Sequence, residues 1–555
     1  MSFLSDIFAQ LNASANKTVL RELRENGDVE VTGAELLRMI SQAREFLGTR
    51  GLRKGERCAL LAANSVRWVA MDLAIMAEGL IVVPLYARQA PEELVAMMKD
   101  CGPSLIVCGD GALRDAVEQN WEEAPERVLL EDVFQLSPSD FSQKQREAGQ
   151  PHTDKADPVA IIYTSGTSGE AKGVVLDASN LSHMLGCTSE RLDSLMEKRQ
   201  GQDRVYHYLP FCFAGSWILL LTCLQRGSEL SLNTDLNRIP AEMAKVEPDY
   251  FLNVPQLLER MRKAVDEQIA KKGGFAEKAY NKARVAWLRK REGSATFTDS
   301  LWLKIGNALV FPTIRKKMAG GNLRALICGS APLTPETQLY FMSLGIPVLQ
   351  VYGLTETTAI CTMDIPGRAV PGRVGQAIEG IEMKLAEGDE IVVRGPNIFS
   401  GYWNRPQETT KALREGWFHT GDQGETDAAG NWRIIGRIKN LLILGSGHNI
   451  APEPIEDEIL QNLTEATQVV LMGNGRGYLS AIVTGKVSHD RVQETLDELN
   501  EGKPHYKQVR AFYVHPDPFS IENGLLTANG KLKRDLIAAR FKTEIEAMYA
   551  VKRAG

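Results

Sequence analysis

The chain has 555 residues, more than one hydrophobic core can hold, so we expect at least two domains. Its net charge of −6 and pI near 5.9 argue against a nucleic-acid-binding protein, and its longest apolar run, around residues 217–221, is too short to cross a bilayer. The eight cysteines are scattered without a histidine cluster, which favours reduced thiols in a cytoplasmic protein over disulfides or a zinc site. The amino terminus has neither a basic start nor a long apolar segment, so no signal peptide is expected.

The first part of the chain alternates helical and strand patterns. Apolar residues recur at helical spacing from Thr32 to Leu47, with Thr32 as the expected cap, and residues 57–61 are typical of a strand. Residues 66–81 are again helical, residues 81–86 are strand-like, and Pro91 is expected to begin another helix. This alternation predicts an α/β domain whose sheets are covered by helices.

A loop rich in glycine and hydroxyl groups follows a buried-strand pattern at residues 159–162. Residues 163–174 read Tyr-Thr-Ser-Gly-Thr-Ser-Gly-Glu-Ala-Lys-Gly-Val and lead into a second short strand. Glycines let the backbone approach a ligand, hydroxyls donate hydrogen bonds and Lys172 adds a positive charge, so the loop suits phosphate oxygens. It is not the common nucleotide-binding loop, because Ala171 and Gly173 flank the lysine. An ordinary hairpin or linker is the alternative interpretation.

The middle of the chain contains an apolar segment and a strongly basic one. Residues 209–217, Leu-Pro-Phe-Cys-Phe-Ala-Gly-Ser-Trp, by themselves predict a buried strand end and the start of a helix. Residues 260–317 contain 15 lysines and arginines and 5 acidic residues, an excess of ten positive charges in an acidic protein. A solvated helix face explains such a stretch, and so does contact with a lipid surface, with coenzyme A phosphates or with an acidic carrier protein.

Three further segments combine small, hydroxyl and carboxylate residues. Residues 326–333 read Leu-Ile-Cys-Gly-Ser-Ala-Pro-Leu, a strand that ends in a turn with room for a flat ring. Residues 351–357 read Val-Tyr-Gly-Leu-Thr-Glu-Thr, and residues 416–422 read Gly-Trp-Phe-His-Thr-Gly-Asp after a Gly-Tyr-Trp at residues 401–403. Each segment alone is typical of a structural turn, but their order along the chain makes that interpretation weak for the set.

Together these segments resemble the signature motifs of the acyl-adenylate-forming ligases, the superfamily of acyl-CoA synthetases, luciferase and peptide-synthetase adenylation domains. The family's usual proline before the loop lysine is Ala171 here. The resemblance covers nearly the whole chain, and the basic insertion resembles the bacterial long-chain acyl-CoA synthetases. It implies an α/β fold with a large N-terminal domain of two stacked helix-covered sheets plus a small barrel at residues 1–437. A hinge at residues 438–440 and a small mobile C-terminal α/β domain at residues 441–555 complete the expected organisation.

The resemblance also implies ATP, Mg²⁺ and coenzyme A as ligands. Tyr352 is expected to stack on adenine, Asp422 to accept hydrogen bonds from the ribose hydroxyls and Glu356 to offer an oxygen ligand to Mg²⁺. The residues implied for nucleotide binding are Thr164, Ser165, Gly166, Thr167, Ser168, Gly169, Lys172, Gly329, Ser330, Ala331, Pro332, Tyr352, Gly353, Thr355, Asp422 and Arg437.

Catalytic and acyl-binding roles follow from the same resemblance. The implied catalytic residues are Lys172, Thr355, Glu356 and Lys531, the last in a Gly-Lys-Leu-Lys-Arg segment that matches the family's mobile lysine. Lys439 is the implied hinge, and the implied substrate-binding residues are Phe213, Trp217, Gly447 and His448. Trp217 matches a tryptophan that gates the acyl tunnel in some long-chain synthetases, because an indole closes an apolar channel while its N–H bonds a polar neighbour.

The expected activity is ATP-dependent conversion of a medium- or long-chain fatty acid to acyl-AMP, followed by transfer to coenzyme A. Transfer to an acyl carrier protein and activation of an aryl or other carboxylic acid are alternatives with the same first step. A non-catalytic ATP-binding regulator is an alternative of another class, although such a protein has no need for Lys531. We expect a cytoplasmic enzyme without nucleic-acid partners, with peripheral contact to the inner membrane face through residues 260–317.

Overall fold

Parallel strands joined by helices make up most of the first 350 residues. The computed structural model describes residues 2–135, 153–164, 171–197, 201–527 and 530–550. Its strands are β1 (Thr18–Leu23), β2 (Val29–Thr32), β3 (Arg57–Leu61), β4 (Ile81–Leu85), β5 (Leu105–Cys108), β6 (Glu126–Leu129), β7 (Pro158–Thr164), β8 (Lys172–Asp177), β9 (Arg204–His207), β10 (Glu229–Asn233), β11 (Tyr250–Asn253), β12 (Ala325–Cys328), β13 (Val348–Tyr352), β14 (Thr362–Met363), β15 (Gln376–Ala377), β16 (Glu382–Leu385), β17 (Glu390–Arg394), β18 (Gly401–Tyr402), β19 (Leu413–Arg414), β20 (Trp417–Thr426), β21 (Trp432–Arg437), β22 (Leu442–Ile443), β23 (Asn449–Ile450), β24 (Ala466–Met472), β25 (Leu479–Gly485) and β26 (Val509–His515).

Helices connect these strands and cover the sheets. They are α1 (Phe3–Ala13), α2 (Gly33–Thr49), α3 (Val66–Ala77), α4 (Pro91–Cys101), α5 (Gly111–Asn120), α6 (Leu130–Val133), α7 (Ala178–Met196), α8 (Ala214–Arg226), α9 (Ile239–Val246), α10 (Pro255–Lys272), α11 (Gly274–Arg291), α12 (Phe297–Ile305), α13 (Phe311–Ala319), α14 (Pro335–Ser343), α15 (Pro406–Ala412), α16 (Pro452–Asn462), α17 (His489–Asn500), α18 (Arg534–Arg540) and α19 (Lys542–Ala550). Within the described residues, none of these helices is both long and apolar enough to span a membrane.

Two large sheets form the body of the protein. The first has the order β18-β8-β7-β4-β3-β5-β6, and the second has the order β15-β14-β13-β12-β11-β9-β10-β1-β2. The central strands of both sheets pair in parallel, whereas β8, β18, β14, β15 and β2 pair antiparallel with their neighbours at the edges. The prediction of an α/β fold with helix-covered sheets is confirmed.

One continuous core lies between the two sheets. On β3, Cys58 and Leu60 face this core, while Ala59 and Leu61 face a separate cluster on the outer side of the sheet. The alternation follows from the two-residue period of a strand that is buried on both faces. Helix α3 lies within the core and buries nearly all of its residues, as expected of a helix that is apolar all round.

A third sheet follows the two large ones, at the place where a small barrel is expected. It has five antiparallel strands in the order β16-β17-β20-β19, with β21 added on β20. A 3₁₀ turn at Ile438–Asn440 then leads into the smaller C-terminal part of the chain. That part contains the three-stranded sheet β24-β25-β26, which has a separate apolar cluster on each face.

The basic stretch is helical throughout. Helices α10 to α13, with a π-helical turn at Gly306–Val310, form an insertion between β11 and β12. Buried Ala279, Ala283 and Phe311 pack this insertion on the outer face of the second large sheet. Its opposite side is exposed to solvent.

Candidate functional site

The predicted phosphate-binding motif lies between two paired strands of the first large sheet. Thr164 ends β7, Lys172 begins β8, and the two residues are opposite each other in the antiparallel ladder. The strands therefore reach further into the motif than the sequence predicts, because the loop is expected to extend to Gly173. The predicted ligands Ser165, Gly166, Thr167, Ser168 and Gly169 lie outside the described residues.

Lys172 is held by residues that come much later in the chain. Its Nζ atom donates to Glu408 Oε2 at 2.7 Å and lies 5.2 Å from the centre of the Tyr402 ring. Hydrogen bonds from Lys172 and then Lys411 lower the pKa of Glu408 to about 2. Glu408 thus pairs with the ammonium group that a triphosphate would contact. A bound nucleotide would replace Glu408 as the anionic partner of Lys172.

Tyr402 links the lysine to the carboxylate of the Thr355–Thr357 turn. Strand β18 carries Tyr402 beside Val174 of β8, which fixes its position next to the phosphate loop. Its hydroxyl donates to Glu356 Oε1 at 2.9 Å. Gly353 precedes this turn, and a side chain there would lie against the Ala359 carbonyl, so the chain needs glycine at this position.

Asp422 lies inside a strand and not in the surface turn that its Gly-Asp sequence suggests. On β20 it is opposite Arg437 of β21, whose Nε atom is 2.6 Å from Asp422 Oδ1. Tyr352, at the end of β13, donates its hydroxyl to Asp422 Oδ2 at 2.6 Å. Burial raises the pKa of Asp422, and Arg437, Tyr352 and Lys531 offset part of that effect.

The predicted adenine turn follows β12. Gly329 is buried, and a methyl group there would come within 2.6 Å of Val351 Cγ2 on the neighbouring strand. Ser330 has a positive φ of 73°, which is uncommon for a residue other than glycine. Ser330, Ala331 and Pro332 are exposed beyond the buried strand. The turn therefore presents small side chains at the edge of the sheet that also carries Tyr352.

Lys531 brings the small C-terminal domain into this group. It lies in a tight turn in which Thr527 donates its backbone N–H to the Lys531 carbonyl at 2.8 Å. The Lys531 side chain is exposed to solvent, yet the surrounding protein lowers its pKa, first by desolvation and then through the charge of Arg437. Asp422 and Glu356 act in the opposite direction, so the charges of both carboxylates favour the ammonium form of Lys531.

The predicted hinge lies in a short turn beside Arg437, and the second predicted loop of the small domain carries Gly447 and His448. Lys439 is in the 3₁₀ turn, and burial followed by the charge of Arg437 lowers its pKa to about 8. Gly447 has a φ of 83°, and the His448 ring stacks on Tyr506 with centroids 4.1 Å apart. His448 is exposed, so the loop presents an aromatic surface on the small domain.

The predicted acyl-site residues are at the start of α8. Trp217 is fully buried and donates its indole N–H to Asp72 Oδ2 at 2.9 Å. Asp72 lies on α3 and is also fully buried, and its second oxygen has no hydrogen-bond partner. Burial raises the pKa of Asp72 to about 7. Phe213 is partly exposed, and its ring centre is 5.7 Å from that of Tyr86.

Glu356 fits the predicted role of a magnesium ligand. Tyr402 engages one of its carboxylate oxygens, and no group of three or more His, Cys, Asp or Glu side chains suited to a metal occurs in the described part of the chain. Mg²⁺ carried on a nucleotide takes most of its ligands from phosphates and water, and it needs only one or two carboxylates from the protein.

Direct contacts join Lys172, Tyr402 and Glu356 in one set and Tyr352, Asp422 and Arg437 in a second set, and charges from both sets act on Lys531. Sequence reasoning missed three residues that contact the predicted ones, namely Tyr402, Glu408 and Asp72, and also Glu93, which accepts from Lys533, two residues after Lys531, at 3.0 Å. The Gly-Tyr-Trp segment is a local signal for Tyr402. The other three lie far along the chain from their partners, and no local pattern marks them.

Two family models match the chain. The model described as AMP-binding enzyme matches residues 7–403, and the model described as AMP-binding enzyme C-terminal domain matches residues 439–553. Among curated relatives, the long-chain-fatty-acid–CoA ligase FadD15 of Mycobacterium bovis is 26% identical, with 94% of this chain and 92% of that protein covered. The chloroplastic long-chain-fatty-acid–[acyl-carrier-protein] ligase AEE15 of Arabidopsis thaliana is 27% identical over 94% of this chain and 83% of its own length. The solved structure of ATP-bound MatB from Rhodopseudomonas palustris superposes with a TM-score of 0.73 at 24% identity, covering 98% of this chain and 99% of that one.

Proposed function

The chain belongs to the AMP-binding enzyme family and is an adenylating ligase, and we propose that it activates a medium- or long-chain fatty acid as acyl-AMP and then transfers the acyl group to coenzyme A. The observation that carries the proposal is the position of Lys531, which the small domain places beside Glu356, Asp422 and Arg437 of the large domain. The fold of the two domains does not require a lysine of one domain to interact with a buried carboxylate of the other. Such a lysine can stabilise the negative charge that develops on a reacting phosphoryl group.

In the first half-reaction, a carboxylate oxygen of the acid bonds to the α-phosphorus of ATP and pyrophosphate leaves. No general base is required, because the acid is already ionised near neutral pH. Both reactants are anions, so catalysis consists mainly of positioning and compensation of charge. Glu356 would hold a Mg²⁺ ion bound with the nucleotide, and that ion would supply part of the positive charge.

The chain's own cations supply the rest of the charge. Lys172, once released from Glu408, binds phosphate oxygens, and Lys531 neutralises charge on the reacting phosphoryl group. The Arg437–Asp422 ion pair and Tyr352 hold one wall of the nucleotide site, in which Asp422 accepts from the ribose and Tyr352 lies against adenine. Removal of Lys531 therefore affects the adenylation step directly.

In the second half-reaction, the thiol of coenzyme A attacks the acyl carbon and AMP leaves. We assign residues 438–440 as a hinge about which the domain from residue 441 onward rotates. This rotation withdraws Lys531 and presents the loop that contains Gly447 and His448 to the pantetheine. The 3₁₀ turn supports this assignment, because it is a short joint between the third sheet and the small domain. We place the reaction in the cytoplasm.

A long acyl chain is favoured by two observations. Trp217 closes the core at α8 through one hydrogen bond to Asp72, and its displacement would open apolar space between α3 and α8. The FadD15 relative is named for long-chain fatty acids. The observations say less about which molecule accepts the acyl group. The AEE15 relative is named for an acyl carrier protein, and we keep that protein as the second candidate acceptor.

Pyrophosphate release measured with a panel of acids tests the proposal. We expect ATP-dependent release with medium- and long-chain fatty acids and little with aryl acids. Each reaction is repeated with coenzyme A and with holo carrier protein, and the thioester is identified by mass spectrometry. Acyl-CoA as the main product supports the proposal, while thioester on the carrier protein alone assigns the second candidate. Nucleotide binding without pyrophosphate release on any acid would contradict the proposed activity.

A further inference from the structure

Exposed apolar side chains are concentrated on the helical insertion. Of the nine large apolar side chains that are exposed among the described residues, five lie between residues 275 and 309. They are Phe275 at 61% exposure, Val285 at 44%, Phe297 at 91%, Leu301 at 56% and Leu309 at 63%. Isolated exposed apolar residues are ordinary, but a concentration of them on one element indicates an interaction surface.

Helices α11 and α12 form an antiparallel pair, here called the basic hairpin (residues 274–305). The pairing is visible at both ends, where Arg289 lies 3.5 Å from Asp299 and the Phe275 and Trp302 rings lie 6.5 Å apart. On α11 one exposed face carries basic and apolar residues at helical spacing. They are Phe275, Lys278, Lys282, Val285 and Arg289. On α12 the exposed face carries Phe297, Leu301 and Lys304 at positions i, i+4 and i+7.

The acidic residues of the region do little to neutralise this surface. Asp299 is buried and caps α12 by accepting from the backbone N–H of Thr296 at 2.8 Å. Asp266 accepts a hydrogen bond from the Tyr280 hydroxyl and lies 3.8 Å from Arg284. Asp266 and Asp299 each pair with one basic residue of the insertion, Arg284 and Arg289, so the excess of ten positive charges remains among the other residues.

A cavity of about 670 Å³ lies between the two helices, the π-helical turn that follows them and the end of α14 at Ser343. Three basic residues, Lys290, Arg291 and Lys304, line it together with the Trp287 ring and the hydroxyl of Ser300. No acidic side chain lines it, and no described residue forms an ion pair with any of the three cations. Such a cavity suits a phosphate group, with Ser300 as an additional hydrogen-bond donor.

We propose that the basic hairpin docks the enzyme on the surface of an anionic phospholipid bilayer. Phe297 and Leu301 enter the interface, and the cavity with Lys290 and Lys304 takes a phosphate headgroup. Surface-lying helices combine exposed apolar residues with lysine and arginine in this way, and anionic lipids attract each basic residue. The apolar side chains project singly with basic ones between them, whereas an interface with a folded protein gathers its apolar residues at a central patch.

Vesicle flotation of the full-length enzyme tests this proposal. The probes are vesicles of phosphatidylcholine alone and vesicles of phosphatidylcholine mixed with phosphatidylglycerol. We expect binding to the mixed vesicles that weakens with salt, and little binding to the neutral ones. Equal binding to both kinds of vesicle, or binding to neither, would overturn the proposal.

Paired variants localise the contact. We expect Lys290→Glu with Lys304→Glu to weaken binding to mixed vesicles by well over fivefold, since each basic residue near an anionic surface contributes roughly that factor. Phe297→Ser with Leu301→Ser should also weaken it. The matched controls are Lys486→Glu and Leu236→Ser, at exposed positions outside the hairpin, and both should bind as the native enzyme does. Hairpin variants that bind as tightly as the native enzyme would refute the assignment.

Pyrophosphate release with a soluble medium-chain fatty acid is measured on the same variants. It should stay unchanged, because none of the altered residues contacts the group around Lys531. This readout separates failure of the docking proposal from failure of the proposed enzymatic function. Loss of binding to an acidic carrier protein in these variants, without any vesicle binding by the native enzyme, would assign the surface to a protein partner instead.

Discussion

Lys531 is the residue whose chemistry depends most on its surroundings. It comes from the small domain, yet its pKa responds to Arg437, Asp422 and Glu356 of the large domain. The ammonium group is therefore available to the nucleotide site only while the two domains have this relative orientation. Two predictions at the scale of single residues follow from that dependence.

The first concerns the division between half-reactions. We expect Lys531→Ala to reduce acyl-adenylate formation on the order of 10²-fold or more, because a preorganised charge is lost where negative charge develops. Thioester formation from supplied acyl-AMP should be nearly unchanged, since the rotated domain no longer places Lys531 at the site. Lys542→Ala, an exposed lysine on α19, is the control. Equal loss of both half-reactions would refute the division of labour.

The second concerns pH. Desolvation and Arg437 lower the pKa of Lys531 below its ordinary 10.5, so the charged form is lost at a lower pH than for a free lysine. Because adenylation needs the ammonium form, its rate should fall as pH rises through this lowered value. Lys531→Arg should move that fall to higher pH, since arginine stays charged. Pyrophosphate release measured against pH checks this, and an identical basic limb in both proteins would contradict it.

Helices α3 and α8 meet at the Asp72–Trp217 hydrogen bond. The indole N–H is the one hydrogen-bond partner that Asp72 has in the described part of the chain, and one Asp72 oxygen already has none. Buried polar groups without partners are costly, so this contact is unusual inside an apolar core. A side chain that closes an acyl channel and can be displaced by the substrate would need the position that Trp217 has between these two helices.

We expect Trp217→Ala to change the acyl-chain preference and the Michaelis constant for the acid. Because removal of a buried tryptophan costs about 3–5 kcal/mol of folding free energy, Trp217→Phe is the second variant, which retains a ring but lacks the N–H. Trp121→Ala, at the end of α5, is the control. Steady-state kinetics over a series of chain lengths provides the measurement. Unchanged preference and Michaelis constants in a folded variant would remove the gate.

Local elements were the most predictable part of the chain. Thr32 caps α2 with a complete capping box, Pro91 begins α4, and residues 57–61 form β3 as expected. These features depend on backbone geometry and on the spacing of apolar residues over a few positions, which sequence expresses directly. Lys172 was wrongly placed in a loop, because pairing with Thr164 extends β8 by two residues.

Contacts between distant segments were not predictable in the same way. The pairing of Lys172 with Glu408 joins residues 236 positions apart, and it forms because β18 brings the following helix α15 next to β8. Nothing in the local sequence around Glu408 indicates a catalytic lysine as its partner. The individual motifs were therefore predictable, whereas the groups that hold the motif residues in position required the fold.

At the scale of the whole molecule, a few polar contacts hold the two domains in the orientation described. Lys533 donates to Glu93 on α4 at 3.0 Å, and the Lys263 ammonium is 3.5 Å from the Thr464 carbonyl. Asn440 donates to Glu453 at 2.6 Å beside the hinge. Polar contacts of this kind contribute little each, which suits the rotation that we propose for the small domain.

We expect Glu93→Gln to weaken this orientation and slow adenylation by up to about fivefold, the range of an exposed ion pair. Thioester formation from supplied acyl-AMP should not slow. Glu92→Gln, on the same exposed helical turn, is the matched control. The difference between the two variants should shrink in high salt, because exposed charges are screened. Rapid-quench measurement of acyl-AMP formation checks the effect, and equal rates in both variants at low salt would contradict it.

The central claim is that the two domains together join a carboxylic acid to AMP through one of the acid's own oxygens. Isotope transfer tests it most directly, with a fatty acid labelled with ¹⁸O in both carboxylate positions and with coenzyme A present. Attack on the α-phosphorus predicts that one labelled oxygen appears in AMP and none in pyrophosphate, as read by mass spectrometry. Label in pyrophosphate, or AMP without label while acyl-CoA forms, would contradict the account.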